Sequence, residues 1–473
     1  MRQQHRDAWT FARVVIALLL LTLSPGLQAR SPESFVDQAP QRLAEYLKID
    51  TVNPPGNESR GVAFFAQYLD AAGIAYETAE SAPGRGNLWA RLPASGRAAR
   101  GKRGLVLLNH IDVVPADERY WRTEPLSGDI REGYVWGRGA LDMKGTAIAQ
   151  FQAFLALAAS NKPLTRDVWF IATADEEAGG EYGAGWLQQN HPEVFSEVGY
   201  LLNEGGMGTF IQDQPLFLVE VTQKVPFWFR LIAEDAPGHG SVPGATTAVT
   251  RLLRAGARLA DTQFPVRVIA PVQSMFAGLA SYMPAELQAA YADMSSAVAD
   301  DAFVRRLHAL NRNHHALLRN TCAVTRLQAS NKINVVPPQA QLEVDCRLLP
   351  DQDQVEFRKQ IETVVNDSQI RFEQILSFTP AVSKAEGELF DAIERVVAKR
   401  YPKAALIPSV STGFTDSHFF RDLGIASYGF SGFMVPAEDI SGVHGNDERV
   451  GVAALKAGTE LMTELLLRFA TRR

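Results

Sequence analysis

The chain has 473 residues, 46% of them hydrophobic and 21% charged, with a formal charge of -6 at neutral pH. That length exceeds one small core and points to a globular protein of two domains. The acidic balance excludes the electrostatic footprint of a nucleic-acid binder, so no nucleic-acid partner is expected.

Residues 1–29 read as a secretory signal peptide: basic and polar MRQQHRDAWTFAR, the apolar run VVIALLLLTL, then a small-residue exit at Ala29. The apolar run is short for a membrane span, so a membrane partner is expected only if the segment stays uncleaved. The expected address is secreted, in a bacterial periplasm. From 30 to 215, strand-like runs (LVLLNH, DVWFIATA, VGYLLNE) alternate with helical stretches such as KGTAIAQFQAFLALAAS. This is an α/β pattern, which predicts a largely parallel sheet sandwiched by helices, with ligands gathering beyond the carboxyl ends of its strands.

Near 216 the pattern changes to two adjacent strands, an amphipathic helix, a helix-rich stretch from about 265 to 320, and further strands around Asn334. Residues 216–382 are therefore expected to form an α+β domain inserted into the first, which resumes over 383–473. Cys322 and Cys346 are the only cysteines. They lie in flanking strand-like runs, so either a cross-strand disulfide or two buried thiols is consistent with the sequence. Neither arrangement suits a thiolate metal cluster, and a metal would have to sit among His, Asp and Glu.

Five segments place such residues at strand ends or sharp loops. His110 and Asp112 follow an apolar strand, Asp142 precedes a helix, and Asp175, Glu176 and Glu177 end a strand together. Glu204 precedes two glycines and His444 sits in a Gly-rich turn. Singly these read as surface histidines, a helix cap, a turn and a solvated charge cluster. Jointly they do not, because three consecutive carboxylates at a sheet's end repel one another unless cations neutralise them. His110, Asp142, Glu177, Glu204 and His444 supply the donors that two metal ions need, with Glu176 left over to act on a water.

With HIDVVP, WGRGALDMKG, ADEEAGG, NEGG, GHGSVPG, NVVP, DCR, TDSHFFR and HGNDE in order, the chain resembles the aminoacylase, carboxypeptidase S and succinyl-diaminopimelate desuccinylase family of two-zinc metallopeptidases. The resemblance implies a zinc-exopeptidase-like catalytic domain and an inserted lid and dimerisation domain. It implies two zinc ions per subunit, with cobalt or manganese as substitutes. His110 and His444 would each hold one ion, Asp142 would bridge them, and Glu177 and Glu204 would complete the two sets. Asp112 would accept from the other ring nitrogen of His110, and Glu176 would be general base and then general acid.

The resemblance further implies His239 as oxyanion donor, in relatives delivered to the neighbouring subunit of a homodimer. Asn334 and Arg347 would contact substrate, Arg347 as a carboxylate clamp, and Gly413 and Thr415 would line the substrate site. A locally satisfied turn is the alternative for His239, and an ion pair with Asp345 or Asp351 the alternative for Arg347. Phe414 separates Gly413 from Thr415, and His418 stands where relatives more often carry arginine.

The activity implied is cleavage of an amide bond, at a peptide's C-terminal residue or in an N-acyl amino acid, through a water bridging two zincs and activated by Glu176. A zinc aminopeptidase is the rival enzyme. A periplasmic binding protein is the rival from another class, and it has no use for an unligated Glu176.

Overall fold

A computed structural model describes residues 32–95 and 104–471. The expected signal peptide lies outside the described residues. The larger sheet has nine strands. Across it run Tyr76–Glu80, Gly86–Leu92, Val168–Thr173, Gly104–His110, Val198–Asn203, Ala426–Gly429, Gln214–Gln223 and Ala405–Ser411, with Gly208–Ile211 flanking Gln214–Gln223. Its centre is parallel, and antiparallel pairs appear towards one edge and around Gln214–Gln223.

Gly104–His110 is buried along its whole length, as expected of an interior strand covered on both faces. The helix Lys144–Ala159 packs between the sheet and the helices Pro32–Leu47 and Val452–Ala470. It is apolar nearly all round and almost wholly buried, which is the composition a helix needs in that position.

The second sheet has four antiparallel strands in the order Thr321–Gln328, Gln339–Leu348, Val225–Glu234, Ile370–Ser377. Residues of Gln339–Leu348 alternate strictly between buried and half-buried or exposed. The buried set packs against the helices Ala248–Asp261 and Gln354–Val365, leaving the other face uncovered.

The expected boundary at 216 needs moving. Gln214–Gln223 pairs with Ala405–Ser411 in the larger sheet, and the chain crosses to the smaller sheet only at Lys224. The helical stretch after 265 also divides from the smaller sheet. Its apolar side, including Val272, Phe276 and Leu279, covers Leu216, Ile407 and Val410 at the larger sheet's outer strands. Hydropathy alone could not assign it, because both sheets offered an apolar face. Lys224 locks the crossing: its buried ammonium donates to the carbonyls of Ala316 and Arg319, both at 2.9 Å, and to the Thr321 hydroxyl at 2.8 Å. Burial, with the charge of Arg347 nearby, pushes its pKa down to about 7.

Of the two readings for the cysteines, the structure has the disulfide, between residues directly opposite across antiparallel strands. It ties the outer strand Thr321–Gln328 to the strand that carries Arg347. Replacing both cysteines with serine is expected to lower stability by about 3 kcal/mol, the loop-closure value for so short a loop. Denaturant unfolding of the oxidised parent beside the double variant measures this, and coincident curves would contradict it.

Candidate metal centre and active site

Three parallel strands, Val168–Thr173, Gly104–His110 and Val198–Asn203, are neighbours in the sheet and open their carboxyl ends to one side. Each delivers candidate ligands there. His110 is the last residue of its strand, Glu176 and Glu177 form a single helical turn after theirs, and Glu204 follows directly on the third. Asp142 arrives on the loop before Lys144–Ala159, and His444 on a turn where its φ is +55°.

The side chains converge in two overlapping groups about Asp142. His110 Nε2 lies 3.2 Å from Asp142 Oδ1 and 3.5 Å from Glu204 Oε2. His444 Nε2 lies 3.2 Å from Asp142 Oδ2 and 3.2 Å from Glu177 Oε2. One carboxylate thus faces both histidines, each backed by its own glutamate. Ligand atoms of His110, Asp142 and Glu177, and of His110, Glu176 and Glu204, lie within 4.8 Å of one another. Glu176 is buried at 5% exposure, and its Oε1 and the Glu177 Oε1 have no hydrogen-bond partner.

Electrostatics gives the same picture. Burial and then the Asp142 charge push the Glu204 carboxyl up to about 8, and burial and then the Glu204 charge push Glu176 well above the usual carboxylate range. Hydrogen bonds to Asp142 and Glu177 raise His444 to about 10. Burial opposes a charge on His110, but Glu204, Asp112 and Asp142 outweigh it and raise its pKa. So much negative charge withdrawn from water, with two carboxylate oxygens left unpaired, is the condition that bound cations relieve. The residues present fit a pair of divalent ions.

Asp112 meets the expected ring nitrogen of His110, chiefly through its main chain. His110 Nδ1 lies 2.9 Å from the main-chain carbonyl of Asp112 and 3.5 Å from its carboxylate. The carboxylate also accepts from the backbone N–H groups of Glu176 and Glu177, each at 3.2 Å, and from Asn53 Nδ2 at 2.8 Å. Backbone donors at the start of a turn draw it there. Asp112 therefore orients His110 chiefly through its carbonyl, which leaves Nε2 facing Asp142 and Glu204, and pins the acidic turn through its side chain. Arg85 supports the same turn, with Nη1 2.6 Å from Glu58 and Nη2 3.3 Å from Asp175.

Two residues escaped the sequence reading. Glu448 is wholly buried and accepts from the backbone N–H groups of Gly139, Leu141 and Asp142 at 2.9, 2.7 and 3.0 Å and from Arg138 Nη1 at 2.7 Å. Arg138 Nη2 donates to the Gly445 carbonyl at 2.7 Å, so the pair couples the loop of Asp142 to the turn of His444. Asp416 is buried behind the acidic turn, 3.3 Å from the Thr173 hydroxyl, and burial raises its pKa to about 7. Both stood inside quoted motifs, HGNDE and TDSHFFR, but nothing local distinguishes them from surface acids.

The candidates in the inserted region have local partners outside this cluster. Gly238–His239 pairs with Val335–Val336 in a small ribbon, where Gly240 donates to the Asn334 carbonyl at 2.9 Å and both His239 and Asn334 are exposed. His239 Nδ1 lies 2.7 Å from the Ser241 hydroxyl, the local arrangement weighed as its alternative. Arg347 likewise adopts its alternative: Nε donates to Asp345 at 2.8 Å and Nη2 at 3.2 Å, while Asp351 pairs with Arg267. Its Nη1 is buried and unpartnered.

Gly413 is exposed, whereas the Thr415 hydroxyl is buried against Gln223 at 3.0 Å, so the side chain this loop presents to Arg347 is Phe414. His418 stacks on Phe378 with ring centroids 3.6 Å apart, and burial and then Arg421 push its pKa down to about 3, so it stays neutral. It therefore cannot supply the positive charge of the arginine more usual there.

This arrangement has relatives. The chain is 29% identical over 372 residues to the human N-fatty-acyl-amino acid synthase/hydrolase, covering 76% of this chain and 73% of that protein. It is 25% identical over 432 residues to aminoacylase-1B of Rattus norvegicus, covering 90% and 94%. Among solved structures, an M20 family metallo-carboxypeptidase from Sulfolobus solfataricus superposes with a TM-score of 0.68 at 18% identity, covering 91% of this chain and 98% of that one. The sequence profile of peptidase family M20/M25/M40 matches residues 106–468, a span that holds every residue of the cluster. That match covers well over half of the chain and the relatives are hydrolytic enzymes, so the chain is a hydrolase and belongs to peptidase family M20/M25/M40.

Proposed function

We propose that this chain is a two-zinc hydrolase that cleaves the amide bond of an N-acyl amino acid, or of the C-terminal residue of a short peptide. The observation that carries this reading is Glu176: a buried carboxylate with one oxygen free of partners, set among five side chains suited to hold two ions. The relatives named for acting on N-acyl amino acids support the first substrate class. Imidazole and carboxylate donors suit zinc, with cobalt or manganese as replacements.

When bound, the ions supply positive charge that polarises a carbonyl and makes water acidic enough to lose a proton near neutrality. The chain does the rest. Glu176 takes a proton from the attacking water at its free oxygen and returns it to the leaving nitrogen. Asp112 holds Glu176 in position through the backbone. Arg347, with Nε and Nη2 occupied by Asp345, offers Nη1 to the substrate carboxylate. His239 and Asn334, together on the exposed ribbon, reach the substrate when the inserted unit closes or from a second copy of the chain.

A homodimer through the inserted unit fits the exposed outer strand Thr321–Gln328, whose free edge includes Val324 and Leu327. Export to an oxidising compartment is supported by the disulfide and the apolar run near residue 14.

Turnover by the zinc-loaded full chain tests the reading. N-acyl amino acids and C-terminally free peptides should be hydrolysed, and their amides, which lack a carboxylate, should lose kcat/KM by about 100-fold, the order for a buried charged hydrogen bond. Failure on every carboxylate-bearing amide would refute it.

A further inference from the structure

The uncovered face of the smaller sheet holds a cavity of about 410 Å³, lined by Trp228, Ile375, Asp345, Glu343, Arg230 and Arg326. Trp228 and Asp345 lie directly opposite each other on neighbouring strands, and Trp228 Nε1 donates to Asp345 Oδ1 at 2.7 Å. The same Asp345 holds Arg347, whose guanidinium carbon sits 5.5 Å from the Trp228 ring and 5.2 Å from the Phe414 ring. Cavity and carboxylate clamp therefore share two walls, both fixed by one aspartate.

The charges around the cavity are already spent on one another. Arg230 pairs with Glu343 at 2.7 Å and with Glu373 at 2.9 Å, and Arg326 pairs with Glu343 at 3.0 Å. Asp345 is taken by Arg347 and Trp228. What remains for an occupant is apolar surface, from the Trp228 ring and from Ile375, which is 44% exposed. A charged group entering would have to break an existing pair to be satisfied, whereas an apolar group loses nothing.

We infer that this cavity is the subsite for the side chain of the amino-acid half of the substrate, and that it selects large, uncharged, apolar or aromatic side chains. The inference rests on the proposed role of Arg347 as carboxylate clamp. In an amino acid the carboxylate and the side chain share one carbon, so a carboxylate held at Arg347 Nη1 leaves its side chain beside the clamp's own walls. Trp228 and Ile375 are then specificity-determining residues, and Asp345 is a positioning residue that sets clamp and wall together.

The test compares kcat/KM of the zinc-loaded full chain for N-acetyl-L-phenylalanine, N-acetyl-L-leucine, N-acetyl-L-aspartate and N-acetylglycine. The parent should favour phenylalanine and leucine over glycine by at least about 10-fold, with aspartate worse than either, which is the scale of discrimination an apolar pocket gives. In Trp228→Ser and in Ile375→Ser the phenylalanine-to-glycine ratio should fall about 10-fold. An unchanged ratio in both variants overturns the inference. So does a loss that tracks the length of the acyl chain instead of the amino-acid side chain, because the cavity would then hold the acyl half.

Binding of free L-phenylalanine and glycine to zinc-loaded Glu176→Gln, with and without Trp228→Ser, gives a readout independent of turnover. Weaker phenylalanine binding in the double variant supports the subsite even if no N-acyl amino acid is cleaved, an outcome that would refute the proposed reaction alone. Equal binding in the two proteins overturns the subsite. Ile375 is exposed, so its variant keeps the test decisive if Trp228→Ser fails to fold.

Discussion

Glu176→Gln should keep its metal ions and lose kcat by about 1,000-fold, within the range expected when a general acid–base is removed. The substitution preserves shape and burial but leaves no group able to accept a proton from water and pass it on. Among the acids that crowd the centre, Glu176 alone is buried with a free oxygen and without a short contact to either ligand histidine, since Glu204 faces His110 and Glu177 faces His444. Metal retention should therefore be little affected, because the change removes one repelling charge and no ligand. Metal content by elemental analysis, measured on the same samples as steady-state turnover, separates the two effects. Parental turnover with full metal content would remove Glu176 from the mechanism, and metal loss would make it a ligand.

Glu448→Gln is expected to cost about 3–5 kcal/mol of stability, the scale for breaking one partner of a buried ion pair. An amide cannot accept at both ends. One end would confront the N–H groups of Leu141 and Asp142 or those of Gly139 and Arg138 with another N–H group. Arg138 would be left charged and buried, and its hold on the Gly445 carbonyl would loosen with it. Because these bonds set the Asp142 loop against the His444 turn, metal affinity should also weaken by about 10- to 100-fold, as supporting residues around metal ligands usually show. Denaturant unfolding and zinc competition against a chromogenic chelator measure the two parts. Parental values in both would mean that the loops are held by other contacts.

The five candidate ligand residues could be read in sequence because each follows a local rule. A strand that must be buried ends at a polar residue where it surfaces, and the parallel arrangement puts all such ends on one side, as at His110, Glu177 and Glu204. What the reading missed depends on partners far away in the chain. Arg138 and Glu448 are 310 residues apart, and no periodicity in either segment announces the other. Asp112 was assigned to the right histidine, but only the folded turn shows that its carbonyl stands nearer the ring nitrogen than its carboxylate does and that the N–H groups of Glu176 and Glu177 share that carboxylate.

Arg347 illustrates the same division. Its residue type and its place on a strand made both a clamp and an ion pair reasonable. The structure has the pair with Asp345, two residues earlier on the same face, and also an unpartnered Nη1 beside Trp228 and Phe414. Phe414 looked like an interruption of a motif. It proves to be the larger unit's contribution to the cradle of an arginine carried by the smaller one.

The α/β class, the second antiparallel unit and the acidic and histidine residues that the fold brings together were legible in the sequence alone, because strand burial, turn chemistry and clustered carboxylates are properties of short stretches. Only the tertiary structure decided where the chain crosses between sheets, which face the helical stretch covers, that the cysteines are joined, and which polar groups satisfy one another. Those outcomes depend on competition among distant surfaces and donors for the same partners, and that competition is resolved only when the whole chain is packed.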